Sequence, residues 1–191
     1  LKVYLTTKNY EAALESLEKI ENKDPRMQRA YQTIVYNRAV ELYHNREYYK
    51  AQNNFALVHK YPIDQQLNAM SEFWIAECNY KTGDFDGAIK SYEKYRYING
   101  AILTNEFSDL DFHLGYAFFE KSQPYTSPKS YNLIKQENNL NESIRYFRNY
   151  THKPEITDTI KYRIALLRIA DAYFILKEDS LAIEHYDKTI S

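Results

Sequence analysis

The sequence predicts an all-α fold, a right-handed α-α superhelix of antiparallel helix pairs stacked in a row. Three observations predict it. The stretch WIAECNYKTGDFDGAIKSYEKY, residues 74 to 95, carries apolar residues at helical spacing on both sides of Gly83-Asp84, with Trp74, Ile75 and Cys78 before the turn and Phe85, Ala88, Ile89 and Tyr92 after it. That is the pattern of an αα-hairpin. A Tyr or Phe, an Ala three residues on and an aromatic or leucine four further on then recurs as Tyr10, Ala13, Leu17, as Tyr48, Ala51, Phe55 and as Phe85, Ala88, Tyr92. The alanines are 38 and 37 residues apart, and degenerate copies at Leu140, Ser143, Phe147 and at Asp179, Ala182, Tyr186 are separated by 39, a period that belongs to repeat architectures. Finally, a helix with one small residue precedes each of the last four copies: Ala39, Ala76, Gly115 and Ala170. A bulky side chain at such a crossing would hold the paired helices apart.

The elements follow in order. Residues 1–25 make a truncated repeat, with Leu1 to Thr7 as the last turns of a first helix and Tyr10 to Leu17 on the second. Residues 28–65 make a repeat that turns at Arg46 and ends in Lys60-Tyr61-Pro62, and residues 68–100 make the repeat with the Gly83-Asp84 turn. Residues 109–151 hold FHLGYAFF, an insertion over 123–138 containing Pro124 and Pro128, and a second helix; residues 161–191 hold LRIADAYF and the last helix. A lone hairpin cannot bury its apolar face, so neighbours stack and stability is roughly a sum of nearest-neighbour terms. The first helix lacks its start and Ser191 follows a helix with no polar cap behind it, so the chain reads as a segment of a longer array, with self-association through its ends expected.

Composition limits the function. With 191 residues, 44% hydrophobic and 16% aromatic, the chain makes one domain or one array. A net charge of -1, from 25 basic and 26 acidic residues, gives no pull toward nucleic acid or an anionic membrane. The longest apolar runs, near Ala117 to Phe119 and at Ile164 to Leu167, fall far short of the ~20 residues of a spanning helix. Cys78 is the only cysteine, which excludes an intrachain disulfide and a cysteine metal cluster, and it is expected in the core, as is Trp74. Among five histidines there is no H-x-x-x-H spacing for zinc, and four scattered glycines offer no phosphate-cradling loop. No pair of carboxylates stands out for acid-base work. No catalytic residue, metal or cofactor is expected.

The small residue of the first helix, the Gly83-Asp84-Phe85 turn and the Ala88-Ile89-x-x-Tyr92 of the second helix resemble the tetratricopeptide repeat. The resemblance covers nearly the whole chain and is strongest over Trp74 to Tyr95. Arg46, Ser122 and Lys177 depart from it, standing where the family often has the turn glycine, and the insertion makes the fourth repeat the least regular. The 37 to 39 spacing, the Lys60-Tyr61-Pro62 ending and the following SEFWIAECNYKTGDFDGAI are similar to a subset found in bacterial cell-envelope adaptors, the outer-membrane-assembly lipoprotein and the Tol-Pal accessory protein. That narrower likeness implies a periplasmic or envelope location, with the cytoplasm as the alternative.

The resemblance implies a non-catalytic scaffold that binds a protein or peptide partner, by helix-in-groove or extended-peptide recognition. The alternative is a ligand-sensing module of a larger signalling or transcription protein. Reading i, i+4 and i+7 along each first helix gives stripes that the family places on its concave wall: Tyr36, Val40, Tyr43; Phe73, Glu77, Tyr80; Phe112, Tyr116, Phe119; Leu167, Asp171, Phe174. Tyr36, Val40, Phe73, Glu77, Phe112, Tyr116, Leu167 and Asp171 are the expected partner-binding residues, while the last member of each stripe is expected to pack between repeats. The stripes hold no Lys, Arg or Asn, which disfavours a C-terminal carboxylate ligand, and Glu77, Asp109 and Asp171 favour a ligand with Lys or Arg. Tyr125 and Tyr131 of the insertion are a second candidate contact.

Overall fold

The computed structural model describes residues 10–123, 132–154 and 158–190. The expectations for Leu1 to Thr7, Tyr125, Tyr131 and Ser191 therefore lie outside the described residues. Among those described, nine α-helices form and no strand: α1 (Tyr10–Glu18), α2 (Pro25–His44), α3 (Tyr48–Val58), α4 (Gln65–Thr82), α5 (Phe85–Arg96), α6 (Leu110–Lys121), α7 (Leu133–Thr151), α8 (Thr159–Ile175) and α9 (Asp179–Ile190). Two 3-10 turns, Ala101–Leu103 and Asn105–Phe107, follow α5.

The helices start where the sequence supplies a cap. The side chains of Asp24, Asp64, Asp84, Asn132 and Asp158 accept hydrogen bonds from backbone N–H groups two or three residues ahead, at the starts of α2, α4, α5, α7 and α8. Pro25 adds a preset φ at the first position of α2. Helices then pair in sequence, α2 with α3, α4 with α5, α6 with α7 and α8 with α9, while α4 packs on α3 and α8 on α7. This is the expected all-α architecture of helix pairs. The chain forms two compact units that divide between Phe107 and Ser108.

Small residues sit at each crossing. Ala39 and Ala51, Ala76 and Ala88, and Ala170 and Ala182 are all buried. In unit 2 the crossing of α6 and α7 is close: the Ser143 hydroxyl donates to the Gly115 carbonyl at 2.9 Å, and a Cβ built on Gly115 would stand 2.8 Å from the ring of Phe147. Glycine is required there by space, not by backbone conformation.

The turns inside the pairs explain the missing glycines. After α4, Gly83 adopts φ +81°, its N–H donates to the Tyr80 carbonyl, and the Asp84 N–H donates to the Asn79 carbonyl. That is a Schellman stop. After α2 the same bonds run from Arg46 to Tyr43 and from Glu47 to Leu42, and after α8 from Lys177 to Phe174 and from Glu178 to Tyr173. Arg46 and Lys177 both hold φ 63°, so the turn keeps its shape without glycine and bears the cost of a side chain in the left-handed region. Arg46→Gly and Lys177→Gly are each expected to stabilise the chain by about 1 kcal/mol in urea unfolding, and Gly83→Ala to destabilise it by a similar amount although open space surrounds its Cβ position. Ser122, the third departure, ends α6 at φ -74° and makes no such turn.

The fourth repeat differs from expectation in one respect. The insertion was expected to separate its two helices over 123–138, but α7 begins at Leu133, so residues 133–138 are helix rather than loop. The Asn132 cap, which accepts from the N–H groups of Ile134 and Lys135, starts it there.

Candidate functional site

In unit 1 the expected binding stripe meets its neighbours closely. Trp74 of α4 lies over α2 and α3: its Nε1–H donates to the Tyr36 hydroxyl at 2.9 Å, its ring stacks on Phe55 at 6.1 Å and 10°, and it meets Tyr43 edge-on at 4.8 Å. Burial, with Glu106 adding to it and the Trp74 bond opposing, pushes the Tyr36 hydroxyl up to about 12. Tyr36 is thus half-buried at the junction of two repeats. Phe73 goes deeper: it is 3% exposed and packs on Tyr92 at 5.8 Å and Tyr95 at 5.5 Å. A ligand reaches it only if those rings move. Val40 is half-buried against the same core as Ala39, Leu42, Ala51, Phe55 and Cys78.

Glu77, expected to attract a cationic ligand, accepts hydrogen bonds from two tyrosine hydroxyls, Tyr43 at 3.4 Å and Tyr92 in a shorter contact. Its charge is held inside unit 1, and it pushes the hydroxyls of Tyr43 and Tyr92 further upward after burial has raised them. Cys78, next in sequence, is buried, and burial with Glu77 beside it pushes the thiol up to about 12. A thiol that resists ionisation is no nucleophile at neutral pH.

In unit 2, Phe112 is half-buried among Tyr116, Phe147 and Tyr150 at centroid distances of 5.1, 5.9 and 5.2 Å. Tyr116 and Asp171 are brought together by Arg168, a residue the stripe pattern passed over. Its guanidinium donates to Asp171 at 2.6 Å and to the Tyr116 hydroxyl at 3.4 Å, and stands 5.7 Å over the Tyr116 ring. Asp171 also accepts from the Tyr186 hydroxyl at 2.9 Å. Asp109 pairs with Lys161. The expected acidic wall of this unit is therefore neutralised by its own basic residues. Leu167, at 37% exposed, faces outward from the last helix pair.

Two buried polar sites escaped the sequence reading. The Gln32 side chain is fully buried, and its amide pairs with the backbone of Asp64, donating to the carbonyl at 3.0 Å and accepting from the N–H at 2.7 Å. Glu72 is almost fully buried, 2.6 Å from Lys94 Nζ and 3.3 Å from His59 Nε2. Burial would raise its carboxyl, but the contacts with His59 and Lys94 outweigh that and hold it below the usual carboxylate range. A lowered folded-state value means the stabilisation is complete above the unfolded-state value and is lost as pH falls. The melting temperature is therefore expected to drop as pH falls below about 4, and Glu72→Gln is expected to flatten that acid limb. Neither site carries a period that sequence alone would expose.

Among the described residues no group of three or more His, Cys, Asp and Glu is placed to hold a metal, and no helix is long and apolar enough to cross a membrane. The repeat pair α4 and α5 combines a Schellman stop, the Asp84 cap and buried alanines, Ala76 and Ala88, at its crossing. Residues 71–98 match the family model of the tetratricopeptide repeat. The match spans the greater part of this pair, including Phe73, Glu77 and Gly83. Over most of its length the chain is also similar in fold to the crystal structure of BtubC (BKLC) from P. vanneervenii, at 13% identity and a TM-score of 0.56, covering 94% of this chain and 68% of that one. At that identity the likeness is one of fold. No curated protein matches the chain. A tetratricopeptide repeat supports a protein-interaction scaffold with a protein partner and is generally non-catalytic.

Proposed function

We propose that the chain is a non-catalytic scaffold of tetratricopeptide-like helix pairs that holds a peptide or helix of a protein partner on the exposed side of the first helices within a unit. The observation that carries this is the row at the second position of each stripe. Taken within each unit by itself, Val40 and Glu77 of unit 1, and Tyr116 and Asp171 of unit 2, are only half-buried, while Phe73 is taken up by packing and the Tyr36 hydroxyl by Trp74. Each of the three polar members is held in place by a hydrogen bond, so a ligand meets pre-ordered groups and loses little entropy in ordering them. Because Glu77 and Asp171 already have donors, recognition rests on apolar contact and hydrogen bonding more than on charge. The envelope setting rests on the Lys60-Tyr61-Pro62 ending and the sequence that follows it, and the comparisons add nothing to it.

The test is panning of a random peptide library against the chain, with affinities then measured by fluorescence anisotropy. Enriched peptides are expected to bear apolar anchors and to lose about 2 kcal/mol of binding with Tyr116→Ala or Val40→Arg while helicity is retained. Failure to enrich any peptide, or equal affinity for both folded variants, would rule the wall out.

A further inference from the structure

Asn99 is the one asparagine in the sequence that is followed by glycine. The pair lies between α5 and the first 3-10 turn, where the Ala101 N–H donates to the Ile98 carbonyl at 3.1 Å and Gly100 holds φ 90° and ψ -11°. Asn99 has no positive φ, so the two are the central residues of a type II turn. The peptide that joins them takes no part in the hydrogen bond of the turn. Asn99 is exposed, and among the described residues neither its side-chain amide nor the Gly100 N–H has a hydrogen-bond partner. A labile side chain thus stands next to a backbone nitrogen that is free to react.

We propose that Asn99 and Gly100 form a self-modification site, at which the Asn99 amide is lost to attack by the Gly100 backbone nitrogen. That nitrogen bonds to Cγ of Asn99 as the bond from Cγ to the side-chain nitrogen breaks, and the proton it gives up leaves with that nitrogen as ammonia. The product is a cyclic succinimide. Water then opens the ring at one carbonyl or the other, giving aspartate or isoaspartate with no change of oxidation state. Glycine permits the attack because it bears no side chain to stand in the way. Asp86-Gly87, the same pair in its acid form, supplies the contrast: Gly87 lies inside α5 and its N–H donates to the Asp84 carboxylate at 3.0 Å, which keeps that nitrogen engaged. The turn is also set against the start of α4. A Cβ built on Gly100 would stand 2.8 Å from the carbonyl carbon and oxygen of Gln65, and Ala101 beyond it is buried. Aspartate keeps the path of the main chain, whereas isoaspartate routes it through the side chain and lengthens it by a methylene. Only the isoaspartyl form is pushed off Gln65.

Incubation of the whole chain in mildly alkaline buffer, followed by peptide mapping in a mass spectrometer and labelling with an isoaspartyl methyltransferase, tests this. Asn99 is expected to lose its amide faster than any other asparagine, at a rate that rises with hydroxide because the attacking nitrogen must shed its proton. The label should appear at Asn99 and not at Asp86. Asn99→Gln, whose longer side chain closes a ring far more slowly, should abolish it with unchanged circular dichroism. The isoaspartyl chain, separated by chromatography, should unfold at lower urea than Asn99→Asp, which carries the same charge on an unaltered main chain. An Asn99 amide that persists long after a peptide spanning Tyr95 to Thr104 has converted fully, or is lost no faster than the other asparagines, overturns the proposal. An isoaspartyl chain as stable as Asn99→Asp overturns the displacement from Gln65. Neither residue belongs to the peptide-binding wall, so the test of that wall stands or falls separately.

Discussion

Trp74→Ala is expected to cost unit 1 about 3 kcal/mol, at the lower end for removal of a large aromatic because Trp74 is half-buried. The ring is the aromatic contact of α4 that touches Tyr36, Tyr43 and Phe55 of the pair before it at once, and no smaller side chain reaches all three. Trp74→Phe keeps an aromatic over Phe55 but leaves the Tyr36 hydroxyl without its donor, and is expected to cost about 1 kcal/mol. Urea unfolding followed by circular dichroism gives both values. Because Trp74 is the only tryptophan in the chain, its fluorescence in the parent protein reports unfolding of this junction specifically. A loss below 1 kcal/mol for the alanine variant would contradict the packing described.

Gln32→Ala is expected to cost about 2–4 kcal/mol, because it leaves the Asp64 N–H without its acceptor, takes one of two donors from the Asp64 carbonyl, which keeps the Asn68 N–H, and opens a cavity at a fully buried site. Gln32→Leu fills most of that volume and still abandons the Asp64 N–H. Comparing the two by urea unfolding separates the terms: if leucine restores full stability, the hydrogen bonds contribute nothing and the account given for them is wrong.

The fold was legible because helix pairing depends on two periods that sequence displays directly. Apolar spacing marks the helices, and the alanines at 51, 88 and 182 mark where they cross. Cys78 follows from the same pattern and is buried as expected. The candidate site was harder to read, because a stripe gives the side of a helix without saying whether a neighbour covers it. Tyr36 and Phe73 each open a stripe that continues at Val40 and Glu77, yet the Tyr92 and Tyr95 rings take Phe73 into the core and Trp74 holds the half-buried Tyr36. The partners of the acidic residues were hidden for a related reason: the donors to Glu77 and Asp171 come from Tyr92, Tyr43, Tyr186 and Arg168, of which Tyr92 and Tyr186 lie on the second helices. Arg46 and Lys177 read as breaks in the pattern, but the hydrogen bonds of the Schellman turn hold their backbones in the geometry that glycine favours.

The pairing of Gln32 with the backbone of Asp64 also sets where the chain tolerates a change of length. A side chain that pairs with the backbone N–H and carbonyl of one residue places no demand on that residue's side chain, which leaves the Asp64 carboxylate to cap α4 while its backbone is held by α2. The first turn of α4 is thereby fixed from outside the segment that leads to it. A residue inserted between Val58 and Asp64 can bulge outward with α4 in place. One inserted between Gln32 and Tyr36 turns the two contact points of α2 about 100° out of line with each other, so that α4 cannot meet both Gln32 through Asp64 and Tyr36 through Trp74. Variation in repeat length has room in the connectors and none within the first helix.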